Sequence, residues 1–292
     1  MTDPYCWIDD YCWTPQRKIL TTAETRIPFL TTFGIQASTR AQSPLPLHTH
    51  PDCLEIVFLT KGFQCYEVQN QIFTLSGGDI FVTYPGELHS TGSYPESISN
   101  IIWFRIDMSA SGSFLDLTEQ ESLFLKGALL SLPRMFKGDL SLKKPLKDAF
   151  YQLTSNDPLV HALGKHAFIN CLYQMIVCSQ TLPPAELDDI EAAIPYIHDH
   201  LFEAIVLEDV AACCSLSLSR FKTKFKEKTG ISPRAFINYL KVEQAKVLLR
   251  QHKSVAETAD LLSFDTPNYF ATLFKKHTGL SPLAYQKDFG AD

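Results

Sequence analysis

An α+β fold is predicted for this 292-residue chain. A strand-rich N-terminal region comes first, helical segments follow it, and an all-helical C-terminal domain repeats one unit on either side of a connecting helix. Three observations predict this order. Up to about Ile106 the apolar residues form short aromatic and β-branched runs between turn signals. Beyond about Leu142 they recur with a helical period. FKEKTGISPRAF, from Phe225 to Phe236, then returns as FKKHTGLSPLAY, from Phe274 to Tyr285, at an offset of 49 residues.

The first domain is expected over 1–141. Its N-terminal segment repeats Tyr-Cys-Trp at residues 5–7 and 11–13, rings that must be covered, so this arm is expected to close over the domain or a partner chain. In LEIVFLTKGFQCYEVQNQIFTLSGGDIFVTYPG, Gly62, the Asn70-Gln71 pair and Gly77-Gly78 break the strands at the spacing of an all-β barrel or sandwich. A barrel interior is the default small-molecule pocket, and Phe58, Tyr66, Phe81, Tyr84 and Trp103 are rings that could stack on a sugar or simply fill a core. Residues 142–184 are predicted to form dimerisation helices and a spacer. In PLVHALGKHAFINCLYQMIVCSQ, Leu163, Ala167, Cys171, Met175 and Cys178 mark one apolar stripe, and Thr181-Leu182-Pro183-Pro184 stops the helix.

The third region, 185–292, holds the duplication as two helix-turn-helix units, 207–229 and 255–277. Each opens with a short amphipathic helix, from Leu207 and from Val255, in which Ala211 or Ala259 is small enough for a close helix crossing. After a tight turn, Ser217 caps the second helix of the first unit; Thr266, followed by Pro267, caps that of the other. Leu218, Phe221 and Phe225, and in the second copy Phe270, Leu273 and Phe274, form the core faces. The opposite faces present Ser219, Arg220, Thr223, Lys224, Lys226 and Glu227, and Asn268, Tyr269, Thr272, Lys275 and Lys276. Gly230 and Gly279 end these helices as left-handed caps, and Ser232-Pro233 and Ser281-Pro282 start new ones. A helix from Pro233 to about Arg250 would span on the order of 25 Å. It can hold two recognition helices near the roughly 34 Å repeat of the major groove.

Net charge is −6, yet Ser217 to Lys253 contains ten Lys or Arg against two acids, a local excess suited to phosphates. No segment approaches the roughly 20 apolar residues of a membrane helix. The acidic N-terminus lacks a signal-peptide pattern, so a cytoplasmic protein with no membrane partner is expected. Eight cysteines without any C-x2-C pair are read as reduced thiols.

The C-terminal motifs, FDTPNYFATLFKKHTGLSPLAY above all, resemble the AraC/XylS transcription regulators over roughly Leu187 to Lys287. The resemblance implies a bacterial, DNA-binding, dimeric regulator, commonly an activator of carbohydrate use that works with RNA polymerase. Such regulators often carry Arg at the positions of Thr223 and Thr272, and Gly at that of Ser263. Base readout here is therefore expected from Asn268, Arg220 or methyl packing.

LHTHPDCLEIVFLTKG and GDIFVTYPGELH in turn resemble the two motifs of cupin barrels: His48, His50, Glu55 and Gly62 match the first, and Gly78, Gly86 and His89 the second, with Pro85 displaced by one position. This resemblance makes the first domain a cupin-like barrel. It implies that His48, His50, Glu55 and His89 either hold a divalent metal (Zn, Ni, Mn or Fe), touch an effector directly, or pack in the barrel mouth. With Tyr66, Tyr84 and Trp103 they form the candidate effector set. An alternative reading is a metal-dependent cupin enzyme, a dioxygenase or isomerase with a DNA-binding appendage, although no further acid-base constellation supports it.

Overall fold

The aromatic and β-branched runs fold as strands because alternate residues have an apolar surface to meet on each side. The computed structural model describes residues 13–92, 94–109, 112–180, 190 and 192–289. The chain divides into two units, one of residues 1–39 and 44–184 and one of 40–43 and 185–292. The first contains β1 (Arg17–Thr21), α1 (Thr22–Thr25), β2 (Leu30–Ala37), β3 (Cys53–Val68), β4 (Gln71–Ser76), β5 (Asp79–Thr83), β6 (His89–Ser90) and β7 (Ser99–Asp107). It continues through α2 (Glu119–Leu130), β8 (Met135–Lys137), α3 (Lys143–Gln152) and α4 (Pro158–Gln180).

All strand pairings are antiparallel, in the order β1-β2-β7-β3-β5-β8, with β4 and β6 paired to the far half of β3. The β3–β4 hairpin turns at Gln69-Asn70, both with positive φ, one residue earlier than the punctuation in the sequence suggests.

Both faces of the sheet are buried, so its central strands read as nearly continuous apolar runs. Leu54, Ile56 and Phe58 of β3, Ile80 and Val82 of β5, and Ile102, Phe104 and Ile106 of β7 face a core shared with the helices. Their alternates Val57, Leu59, Phe81, Ile101 and Trp103 face the concave side with Tyr66.

The helices of 142–184 are not a separate segment. Leu146, Ala149 and Phe150 of α3 and Phe168, Cys171, Leu172 and Met175 of α4 are buried in the core of the sheet. The ring of Phe33 packs on Phe150 at 5.3 Å and on Phe168 at 5.1 Å. The buried stripe of α4 also differs from the predicted one. It runs through Gly164, Phe168, Cys171, Leu172 and Met175, whereas Leu163 is exposed. Gly164 takes the inward place because a Cβ there would lie 2.8 Å from Gln152 Cβ and 3.2 Å from Ala149 O, against α3. The repeated Tyr-Cys-Trp arm and the Thr181-Leu182-Pro183-Pro184 spacer lie outside the described residues, except Trp13. Its indole donates to Ile19 O and lies 6.2 Å from the Phe150 ring.

The second unit contains α5 (Ala193–Asp199), α6 (Leu207–Cys213), α7 (Leu218–Thr229), α8 (Pro233–Arg250), α9 (Val255–Leu261), α10 (Pro267–Thr278) and α11 (Pro282–Phe289). The duplication is visible bond by bond. Leu216 N–H donates to Ala211 O and Phe264 N–H to Ala259 O, both at 3.0 Å. Ser215 and Ser263 occupy the left-handed region in these turns. Ser217 accepts from Arg220 N–H, and Thr266 from Tyr269 N–H. Both copies end at a left-handed glycine, Gly230 at φ 72° and Gly279 at φ 80°. Thr229 and Thr278 each donate a hydroxyl proton back to Phe225 O or Phe274 O. The turns match through Ser215 and Ser263, so the extra residue of the second copy is Asp265, just before its cap.

Candidate functional site

The concave side of the sheet carries one candidate site. His48 and His89 are joined by a pair of backbone hydrogen bonds, each 2.9 Å, which brings the segment before β3 against β6. Glu55 rises from β3, and Trp103 and Arg105 from β7, whose in-and-out alternation puts Ile101, Trp103 and Arg105 on the same face. Trp103 lies flat across β2 because its partner there is Gly34, where a Cβ would stand 2.2 Å from the indole. The resulting small cavity, about 60 Å³, is lined by His48, His50, Glu55, Tyr66, Trp103 and Arg105, together with Arg17, Gln36 and Glu96. His89, itself buried, closes its back against His48, with ring centroids 4.0 Å apart.

The hydrogen bonds assign the protons. His48 Nδ1 lies 2.7 Å from Pro46 O and His89 Nδ1 3.1 Å from Glu87 O, so in both rings Nδ1 carries a proton that it donates to a backbone carbonyl. His50 is reversed. Its Nδ1 accepts from Arg105 Nη1 at 3.2 Å, since a guanidinium can only donate, and its Nε2 faces Glu55 Oε1 at 3.6 Å. Glu55 Oε2 lies 3.2 Å from His89 Nε2. Burial alone would raise the Glu55 carboxyl, but hydrogen bonds and charge from His50 and His89 outweigh it and hold the group well below the usual carboxylate range. Burial, reinforced by His89, pushes His48 down to about 4. Burial and the Glu55 and Glu96 carboxylates raise Tyr66 well above 10, so its hydroxyl stays a neutral donor.

The ring nitrogens of His48, His50 and His89 lie within 4.8 Å of one another. The donor chemistry of His48 Nε2, His89 Nε2 and the Glu55 carboxylate fits a divalent first-row cation. His50 fits less well, because Arg105 occupies its Nδ1 and adds a fixed positive charge.

Tyr84, in the candidate effector set, is not at this cavity. It packs on the helix side of the sheet, donates its hydroxyl to Leu132 O, and lies under the Arg134 guanidinium at 4.7 Å. Phe58 also faces the helix-side core, while Phe81 stacks on Tyr66 at 5.0 Å beneath the cavity. Arg17, Gln36, Glu96 and Arg105 were not among the residues picked from the sequence. Arg105 has a sequence signal, since it shares the Ile101-Trp103 parity in the run SNIIWFRID.

The second site is a paired surface. Phe221 and Phe225 of α7, and Phe270, Leu273 and Phe274 of α10, are buried, which fixes the faces turned outward. Ser219, Arg220, Thr223 and Lys226, and Asn268, Tyr269, Thr272, Lys275 and Lys276, are exposed, whereas Lys224 is half-buried. Tyr269 accepts from Asn238 Nδ2 at 3.2 Å, tying it to α8. A groove along α7 is lined by Lys222, Lys226, Glu227 and Arg234.

Two cations in the basic stretch are structural instead. Lys246 is buried and meets Glu243 at 2.7 Å. Lys241 is buried and donates to Leu262 O at 2.5 Å and Glu203 O at 3.2 Å, over the ring of Phe264. It thereby joins the approach to α6, the connecting helix α8 and the turn after α9, and Ser263 Oγ adds a bond to Phe202 O at 2.9 Å. Burial lowers the Lys241 pKa.

The family profile described as AraC-like ligand binding domain matches residues 30–168, and the one described as helix-turn-helix domain matches residues 210–288. The chain is 23% identical over 247 residues to the HTH-type transcriptional activator RhaS of Klebsiella pneumoniae, covering 82% of this chain and 87% of that protein. It is 26% identical over 235 residues to the Arabinose operon regulatory protein of Escherichia coli, covering 77% of each. A 100-residue stretch is 37% identical to the MmsAB operon regulatory protein of Pseudomonas aeruginosa, 34% of this chain and 33% of that one.

Proposed function

The chain belongs to the AraC family of DNA-binding transcription regulators, and from that premise we propose that it is a homodimeric, cytoplasmic activator switched by a small polyhydroxylated effector, a sugar, in the concave cavity of its first domain. Its domains and relatives are those of regulators rather than enzymes, and it binds operator DNA through its helix-turn-helix domain.

The observation that carries the effector reading is the cavity itself. It offers a flat indole, a neutral phenol, a carboxylate, imidazoles and a guanidinium. Rings with donors and acceptors on several sides suit a ligand that has a hydroxyl on each carbon. The likeness to an arabinose operon regulator agrees with it. Arg105 and Glu55 would orient hydroxyls, Trp103 would cover an apolar sugar face, and Tyr66 would donate. Effector binding would shift the population toward the dimer geometry that matches the operator and engages RNA polymerase.

Exposed apolar residues on α2 and α4, among them Leu123, Phe124, Leu159 and Val177, support self-association through the helices of this domain. Among the described residues no helix is long and apolar enough to cross a membrane.

A second reading of the same site is favoured by the convergence of its histidine rings, whose nitrogens lie within 4.8 Å of one another. His48, His89 and Glu55 would hold a divalent cation such as Zn, Ni, Mn or Fe, which when bound supplies a Lewis-acidic contact for effector oxygens. Metal analysis of purified protein separates the readings: a stoichiometric metal lost in His89→Ala supports it, and metal-free protein that still binds effector overturns it.

Thermal-shift screening against pentoses, hexoses and sugar acids, followed by operator binding with each hit, tests the effector reading. A hit should raise Tm, and Trp103→Ala should abolish the shift. Stabilisation that survives in Trp103→Ala would place the effector elsewhere.

A further inference from the structure

The two recognition helices share one feature that the basic residues around it obscure. Thr223 and Thr272 stand at equivalent positions of the repeat, 49 residues apart, each exposed on the outward face. Each hydroxyl lies against its own helix backbone: Thr223 Oγ1 donates to Ser219 O at 3.1 Å, and Thr272 Oγ1 to Asn268 O at 2.9 Å. A threonine bonded back to the carbonyl four residues earlier has used its only proton. The oxygen keeps its acceptor lone pairs, and the other branch, the γ-methyl, is the apolar group it offers to a base edge.

In the major groove a methyl group has one distinctive partner, the C5-methyl of thymine. We infer that Thr223 and Thr272 each select a thymine by methyl-to-methyl packing, so that the operator carries thymine at the same place in both half-sites, about one helical turn apart. The neighbours divide the remaining work. Arg220 and Asn268, one turn toward the N-terminus of each helix, hydrogen-bond to bases. Lys226, Lys275 and Lys276 meet phosphates. The assignment rests on the DNA-binding reading and deepens it by naming the base and the group on that base.

The experiment uses the full-length chain and has two stages. Duplexes selected from a random pool define the operator; absence of any enriched sequence would overturn sequence reading altogether, and this inference with it. In the selected operator, each thymine is then replaced singly by deoxyuridine, which deletes the C5-methyl and nothing else. At one thymine in each half-site the replacement should weaken binding about fourfold, the effect of exposing one buried methyl.

Thr223→Val and Thr272→Val keep the methyl and should keep that ratio at their own half-site. Thr223→Ser and Thr272→Ser keep the hydroxyl and should bring it to one. Tolerance of deoxyuridine at every thymine would overturn the inference. So would a ratio that survives in the serine variants, or one that disappears in the valine variants, since the hydroxyl would then be the reading group.

Discussion

Phe274→Ala tests the packing that fixes the second recognition helix. Phe274 is fully buried in a small core with Val242, Ala245 and Leu249 of α8 and Phe270 of α10. Its ring meets Phe270 at 5.6 Å and Tyr285 at 5.4 Å, both edge-on. Truncating a buried phenylalanine costs about 3–5 kcal/mol, and the two edge-on pairs place this one in the upper half of that range. A domain near 100 residues holds about 5–15 kcal/mol in total and loses about 4–8 °C of Tm per kcal/mol. The transition of the DNA-binding domain should therefore fall by on the order of 15–40 °C in calorimetry of the full chain. Phe274→Leu, which leaves a smaller void, should lose less than half as much. A Phe274→Ala protein that unfolds within 3 °C of wild type (roughly half a kcal/mol on that scale) would refute the burial from which the outward face is drawn.

Three other perturbations separate roles that look alike in the sequence. Lys226→Met, at an exposed phosphate candidate, should reduce the slope of log K against log salt by about one, whereas Lys246→Met should leave the slope unchanged and lower stability by about 1–3 kcal/mol; equal slopes in the two variants would contradict this division. Lys241→Met leaves the carbonyls of Leu262 and Glu203 without their donor and should cost about 2–5 kcal/mol by urea unfolding, with partial rescue by Arg; a wild-type midpoint would show that these bonds contribute nothing net. His277 is pushed down to about 4 by burial and by Lys276 and Lys246. The unfolded chain takes up this proton near 6.5 and the folded one only near 4, so stability is intact above 6.5 and falls by up to about 3 kcal/mol as pH drops to 4. His277→Gln should flatten that part of the profile, and identical pH profiles would exclude the assignment.

The helical repeat was legible because its signals are local. A capping Ser217 or Thr266, a left-handed Gly230 or Gly279, and aromatic residues three and four apart act within one or two turns of chain, and each appears where expected. The convergence of His48, His50, Glu55 and His89 was also legible, through the resemblance to the two cupin motifs. What escaped was decided by distant partners. α4 is apolar on nearly every side, so its own pattern could not show that Gly164 rather than Leu163 turns inward; α3 decides that. Tyr84 continues the aromatic run, but it packs on the helix-side face of the sheet, beneath Arg134. Lys241 and Lys246 enlarge the basic count but not the basic surface, because their partners are the turn after α9 and Glu243.

The backbone bridge between His48 and His89 bears on how fast this protein can respond. The cavity walls on β3 and β7 belong to a sheet packed on both faces, so they cannot part without opening a core. The segment before β3 is tied in as well: besides the reciprocal bonds of His48 and His89, Leu45 pairs with Thr91, Gly86 N–H donates to His50 O, and β6 itself pairs with β3. An effector would therefore meet walls already in place and lose little to ordering them. The pace of the response would then be set by encounter and by the change in the dimer, not by assembly of the pocket.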